Sequence, residues 1–285
     1  MSRPTRETPA GRAYLDLQNR ARREGRGTQE LLTMYVVERW WERLSRSPYV
    51  NDFVLKGGML LAAFGHRRPT VDADALARNP AGDLESVIAR VAEVASLPGD
   101  DGVEYLTGTA TASVIRDDAL YAGVRVVMSA QLATAQAKLR LDVNFGDPVT
   151  PAPGLVELPA LRPGYPPVRI LGYPLATVLA EKLVTAIHLG PANTRVRDYV
   201  DVYTLTRTMD VDADQVAAAL KATAAFRGVE LRRLADAVGN LATVRAATYT
   251  AYRRGLGPDG QHLPADFTDV VAAVVAFADQ TLLLE

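Results

Sequence analysis

Apolar residues recur at three- and four-residue steps through residues 10 to 46, at Leu31, Leu32, Tyr35, Val36, Trp40 and Leu44, a spacing that predicts core-facing helices. The run DFVLKGG then reads as a short buried strand closed by two glycines, and MLLAAFG as a small apolar helix ending at Gly65. In VDADALA, Asp72 and Asp74 alternate with Val71, Ala73 and Ala75, the pattern of a strand with one polar edge. A helix is predicted from Leu84 to Val94.

Three β-rich runs follow, EYLTGTATASVI, AGVRVVMSAQL and KLRLDVNF, and predict an antiparallel extension of the sheet. In the last of them Leu139, Leu141, Val143 and Phe145 face one way while Lys138, Arg140, Asp142 and Asn144 face the other. Prolines crowd residues 148 to 174 (PVTPAPG, LRPGYPPV), which read as a connector carrying a short strand at VRILGY. Beyond it the pattern is helical, in LATVLAEKLVTAIHLG, VRDYVDVYTLTRT, DADQVAAALKATAAF, LRRLADAVGNL and DFTDVVAAVVAFADQTLLL. The expected fold class is α/β (α+β). A mixed β-sheet with flanking helices and an N-terminal helical arm occupies residues 1–150, and a mainly helical domain spans 151–285 and completes an active-site cleft.

Composition narrows the chemistry. The 285 residues include no cysteine, which removes disulfides, thiolate nucleophiles and Cys-ligated zinc, and the three histidines, His66, His188 and His262, show no ligand spacing. Net charge is −1, so attraction to a nucleic acid has to be local. Residues 1 to 47 carry ten Arg against six Asp or Glu, a local excess of four positive charges that is most simply a solvated helix face. Trp40 and Trp41, beside Arg39 and Arg43, fit a core better than a base-stacking platform. Lysines number only four, Lys56, Lys138, Lys182 and Lys221. The N-terminal stretch lacks the apolar run of a signal peptide and no later run approaches membrane-spanning length, so a cytoplasmic protein without a membrane partner is expected.

The chemistry concentrates at the paired aspartates. Residues at i and i+2 of a strand point to one side, so Asp72 and Asp74 are spaced to bracket a hard cation such as Mg²⁺, with substrate phosphates completing its shell. A third carboxylate from a neighbouring strand would allow two ions, and Asp142 is the natural candidate, against the plainer alternative of a carboxylate paired with Arg140 or Lys138. Gly57 and Gly58, at a turn feeding a helix, offer backbone amides to a triphosphate.

In this order the motifs resemble the polymerase-β-like nucleotidyltransferases: Lys56-Gly57-Gly58, thirteen intervening residues, then Asp72-Ala73-Asp74-Ala75. More narrowly, Arg68-Pro69-Thr70-Val71-Asp72-Ala73-Asp74, Ala180-Glu181-Lys182-Leu183 and Arg195-Val196-Arg197-Asp198-Tyr199-Val200-Asp201 resemble the AbiEii-type toxins of type IV toxin–antitoxin systems, including the MenT group. The resemblance covers Lys56 to Asp201. It implies a nucleotidyltransferase-type sheet and a toxin that adds nucleotides to tRNA 3′ ends, with Mg²⁺ (or Mn²⁺) and a nucleoside triphosphate, opposed by a cognate antitoxin. It further implies that Asp72 and Asp74 hold metal, Lys182 contacts the triphosphate and Asp201 completes the site, with Asp198 capping or orienting. Lys56, Gly57, Gly58, Arg68 and Thr70 would serve nucleotide binding. In some relatives a serine at the position of Thr70 is phosphorylated, so an antitoxin acting through Thr70, or indirectly, fits the same frame. Two alternatives stay open: the same transfer onto a protein hydroxyl or small molecule, and a non-catalytic protein that binds RNA or a partner.

Overall fold

The computed structural model describes residues 3–68, 70, 72–78, 84–117 and 121–283. Pro69 and Val71, both in the motif around Asp72, lie outside the described residues. The chain divides into two compact units, one of residues 1–146 and 154–172, the other of residues 147–153 and 173–285.

The first unit contains, in order, helices α1 (Pro9–Glu24) and α2 (Thr28–Ser45), strand β1 (Phe53–Lys56), the short helix α3 (Gly57–Leu60), strand β2 (Ala73–Ala77), helix α4 (Leu84–Ser96) and strands β3 (Val103–Asp117), β4 (Tyr121–Leu132), β5 (Ala135–Phe145), β6 (Gly154–Leu158) and β7 (Val168–Gly172). The seven strands form one mixed sheet in the order β3-β4-β5-β2-β1-β7-β6. The fold is thus mixed α/β, with β2 and β5 parallel at its centre and β1 antiparallel to β2. The proline-rich segment contributes both β6 and β7 to this sheet, so residues 154–172 lie with the first unit rather than beyond a division at residue 150. The sequence reading recovered β7 but not β6, whose five residues are mostly exposed and carry little apolar alternation.

The core of this unit is the apolar face of α2 against the sheet. Trp40 and Trp41 are fully buried and pack edge to face at 5.3 Å between ring centres, and Trp40 meets Phe53 of β1 in the same way. Removing either indole would cost about 3–5 kcal/mol, the range for large buried aromatics. The arginines beside them are not a solvated face. Arg43 is buried and donates to both carboxylate oxygens of Asp101, at 2.7 and 3.2 Å, and Arg39 is buried against Glu38 at 2.6 Å. A buried guanidinium needs such partners, and a helical pattern alone does not reveal an acid 58 residues away.

The second unit is helical: α5 (Leu175–Leu189), α6 (Val196–Thr208), α7 (Ala213–Arg227), α8 (Leu234–Val238), α9 (Leu241–Gly255) and α10 (Phe267–Leu282). Phe267 of α10 stacks on Tyr249 at 4.9 Å and meets Tyr199 edge on at 5.8 Å, tying α10 to α9 and α6. Helix α9 escaped the sequence reading because only Leu241 and Tyr249 on it are buried, too sparse a stripe to register as a periodic pattern. Among the described residues, no helix is long and apolar enough to cross a membrane.

Candidate active site

Strand pairing gathers three of the candidate residues of the first unit, Lys56, Asp74 and Asp142, on one face of the sheet. Lys56 lies opposite Asp74 in the β1–β2 pair, Asp74 opposite Asp142 in the β2–β5 pair, and Asp142 opposite Arg125 in the β4–β5 pair. Residues paired directly across strands point to the same side, so Lys56, Asp74, Asp142 and Arg125 form a transverse row. Strand β2 begins at Ala73, which leaves Asp72 at the mouth of the strand rather than within it. Its carboxylate is one-third exposed and faces Arg140 of β5 at 3.5 Å.

The glycine turn closes against this row. Gly57 takes a left-handed conformation, φ +67°, and a Cβ built on it would fall 1.9 Å from Asp74 Oδ2. A Cβ on Gly58 would lie 3.0 Å from the Arg68 guanidinium. Glycine is thus required at 57 both for its backbone angle and because the Asp74 carboxylate occupies the space of a side chain. Gly57 and Gly58 open helix α3, which is only four residues long and so presents single amides rather than a helix macrodipole.

Electrostatics mark Asp74 as the centre of the cluster. Its pKa is raised to about 6, first by desolvation; Lys56 pulls it down, Asp142 and Asp72 push it up, and Arg68 pulls it down again. Asp142 sits where a third ligand is expected, yet both its oxygens accept from Arg125, at 2.7 Å each. The pairing foreseen for Asp142 with Arg140 or Lys138 is therefore made by Arg125, and Arg140 turns to Asp72 instead. Arg125 was legible only as a polar residue between Val124 and Val126. The Thr70 hydroxyl donates to the Asp72 carbonyl at 2.8 Å, pinning the backbone between motif and strand.

The donor set suits a hard divalent cation. Among the described residues no group of three Asp, Glu or His is assembled to hold a metal. Mg²⁺ does not need one, since it commonly takes one or two carboxylates and completes its octahedron with water and substrate phosphates. Asp72 and Asp74 are the two carboxylates that would hold such an ion.

The remaining candidates belong to the second unit. Lys182 of α5 donates to Asp198 Oδ1 at 2.6 Å and to Asp201 Oδ2 at 2.8 Å, both on α6, and Arg195 Nε donates to Asp198 Oδ2 at 2.6 Å. Burial pushes the Asp198 carboxyl up, but Lys182 and Arg195 together outweigh it and hold the group well below the usual carboxylate range. Both aspartates are buried, so they are not the surface ion pairs that their helical spacing suggests. Lys182 is held by two carboxylates rather than snorkelling to solvent.

The family model described as the nucleotidyl transferase AbiEii toxin of type IV toxin–antitoxin systems matches residues 39–273. No curated protein matches the chain. Two crystal structures share the fold. One is a Helicobacter pylori protein crystallised as a candidate nucleotidyltransferase, with a TM-score of 0.55 and 14% identity, covering 90% of this chain and 96% of that one. The other is JHP933 from the same organism, with a TM-score of 0.51 and 15% identity, covering 90% and 93%.

Proposed function

The chain belongs to the AbiEii nucleotidyl transferase toxin family, and from that premise we propose that it transfers a nucleoside monophosphate from a nucleoside triphosphate to an RNA hydroxyl, at the 3′ end of tRNA, so that the tRNA can no longer be charged and translation stops. The observation that carries the proposal is the row around Asp74: a desolvated carboxylate seated over Gly57, flanked by Asp72 and Asp142 and faced by Lys56 and Arg68.

In the proposed reaction an acceptor hydroxyl oxygen bonds to the α-phosphorus, the bond from that phosphorus to the bridging oxygen breaks, pyrophosphate leaves and the hydroxyl proton passes to solvent. A divalent cation, Mg²⁺ or Mn²⁺, held by Asp72 and Asp74 would supply charge neutralisation on the phosphates. The chain's own contribution is positioning. Gly57 and Gly58 let the backbone approach the triphosphate closely, and the Arg68 guanidinium over Gly58 is suited to phosphate oxygens. Lys56 moderates the negative field at Asp74. Arg125 holds Asp142 in place, so that Asp142 contributes charge, and it would act as a third ligand only on giving up that pair. Lys182 and Asp201 are assigned to triphosphate contact and site completion on the strength of the family motif.

A toxin of this kind implies a cognate antitoxin and, for a tRNA substrate, a cytoplasmic setting. Thr70 is the point of control in this reading. A phosphate on its hydroxyl would remove the bond to the Asp72 carbonyl and place nearly two negative charges beside the two metal-binding carboxylates.

The test is incubation of the purified protein with total tRNA, Mg²⁺ and each α-labelled nucleoside triphosphate in turn, beside Asp72→Ala. Label in the tRNA band that depends on Asp72 supports the proposal, and absence of label with every triphosphate refutes the tRNA acceptor.

A further inference from the structure

Strand β5 outruns its parallel partner. Pairing with β2 covers only Leu141 to Phe145, so Ala135 to Arg140 extend beyond β2, beside the row described above. A pocket of about 450 Å³ opens there, wholly within the first unit, lined by Thr33 of α2, Ser129 and Gln131 of β4, and Gln136, Lys138 and Arg140 of β5. Gln29 bridges the helix to the strand by donating to the Gln136 carbonyl at 2.8 Å, and so fixes one wall.

The lining has a definite chemistry. Two cations, amide groups and hydroxyls converge, and no carboxylate is among the lining residues. This contrasts with the adjacent row, which holds Asp74 and Asp142 and has Asp72 at its flank. Leu106, 39% exposed, adds an apolar surface at the rim. Arg140 belongs to both places, since it lines the pocket and faces Asp72 at 3.5 Å. The volume lies within the range of about 300–1,000 Å³ typical of small-ligand sites. That is room for about one nucleotide unit and too little for a duplex.

We propose that this pocket docks the single-stranded end of the acceptor RNA, with Lys138 and Arg140 on its phosphodiester oxygens, the glutamine amides and hydroxyls on ribose, and Leu106 against a base. The inference rests on the transferase reading above. Arg140 then joins the acceptor site to the carboxylate row, so that a strand held by the pocket leads its terminal hydroxyl toward Asp72. Phosphate contacts of this kind position a strand without reading its sequence.

The experiment uses the full chain, a fluorescein-labelled single-stranded RNA of twelve nucleotides and anisotropy at several salt concentrations. Lys138 is exposed, so Lys138→Glu should fold, as circular dichroism would verify. Lys221→Glu, the same charge change on α7 of the other unit, is the control. The expected result is binding by the unaltered protein, about tenfold weaker for Lys138→Glu with a salt slope smaller by about 0.7, and little change for Lys221→Glu. Gln131→Ala with Gln136→Ala, which leaves charge untouched, should weaken binding as well. Equal loss in the two charge variants, no loss at Lys138, or no RNA binding at all would overturn the proposal. Nucleotide transfer assayed in parallel separates the two readings. Transfer abolished by Asp72→Ala with RNA binding indifferent to Lys138 sinks the pocket alone, whereas Lys138-dependent binding without transfer from any triphosphate sinks the transferase reading alone.

Discussion

Replacing Gly57 by alanine isolates what the glycine turn does for the site. Two penalties arise. The first is backbone strain, because φ of +67° is left-handed and costs an L-residue about 1–2 kcal/mol. The second is steric. The new methyl would lie 1.9 Å from Asp74 Oδ2, and restoring even a 3.0 Å contact moves that oxygen by at least 1.1 Å. A displacement of about 1 Å at a reacting centre costs on the order of 100-fold in rate. Gly65 supplies the matched control, since its φ is +81° and a Cβ there meets nothing within 4 Å. Gly65→Ala, which meets strain alone, should lower Tm by roughly 2–8 °C and Gly57→Ala by at least as much, while turnover falls about 100-fold for Gly57→Ala and stays near the unaltered value for Gly65→Ala. Thermal melts and nucleotide-incorporation rates on the same preparations decide the matter. If Gly57→Ala incorporates nucleotide as fast as Gly65→Ala, the placement of Asp74 over the turn is not what catalysis needs.

Three further outcomes follow from the same geometry. Asp142→Asn should keep at least about a tenth of turnover, because Arg125 already holds that carboxylate, whereas Asp74→Asn should abolish it; equal losses in steady-state assays would make Asp142 a ligand in its own right. Arg68→Ala should raise KM for the nucleoside triphosphate about tenfold, as expected for one lost charge-assisted phosphate contact, and an unchanged KM would remove Arg68 from the phosphate site. Asp198 is depressed in the folded state, so its stabilisation is complete above its unfolded pKa near 4 and is lost as pH falls below that. Asp198→Asn should accordingly cost about 2–3 kcal/mol in urea titrations at pH 7 and less at pH 3, while an equal cost at both values would contradict the ion-pair account.

Much of the first unit was legible because its signals are local. A Gly-Gly turn, an aspartate pair two residues apart and a strand of alternating apolar and polar residues are each readable from local pattern, which puts Asp142 on the polar face of its own strand; that Asp74 shares this face follows from the β2–β5 pairing. What local pattern cannot supply is register. The partner of Asp142 depends on how β4 and β5 align across their turn, and the alignment selects Arg125 over the nearer-in-sequence Arg140 and Lys138. The same limit hid the burial of Arg39 and Arg43, whose character is set by acids brought in by tertiary packing. In the second unit the three-residue spacing of Asp198 and Asp201 puts them on one helical face, but only the packing of α5 against α6 turns that face inward onto Lys182.

The central claim is nucleotide transfer by the Asp72–Asp74 row, and the most direct measurement is incorporation of α-labelled nucleotide into tRNA by the unaltered protein and by Asp72→Ala at equal concentration. The account predicts label in the tRNA band with at least one triphosphate and none with the variant. Labelling that persists in the variant would contradict it, and absence of labelling in both would remove tRNA as the acceptor.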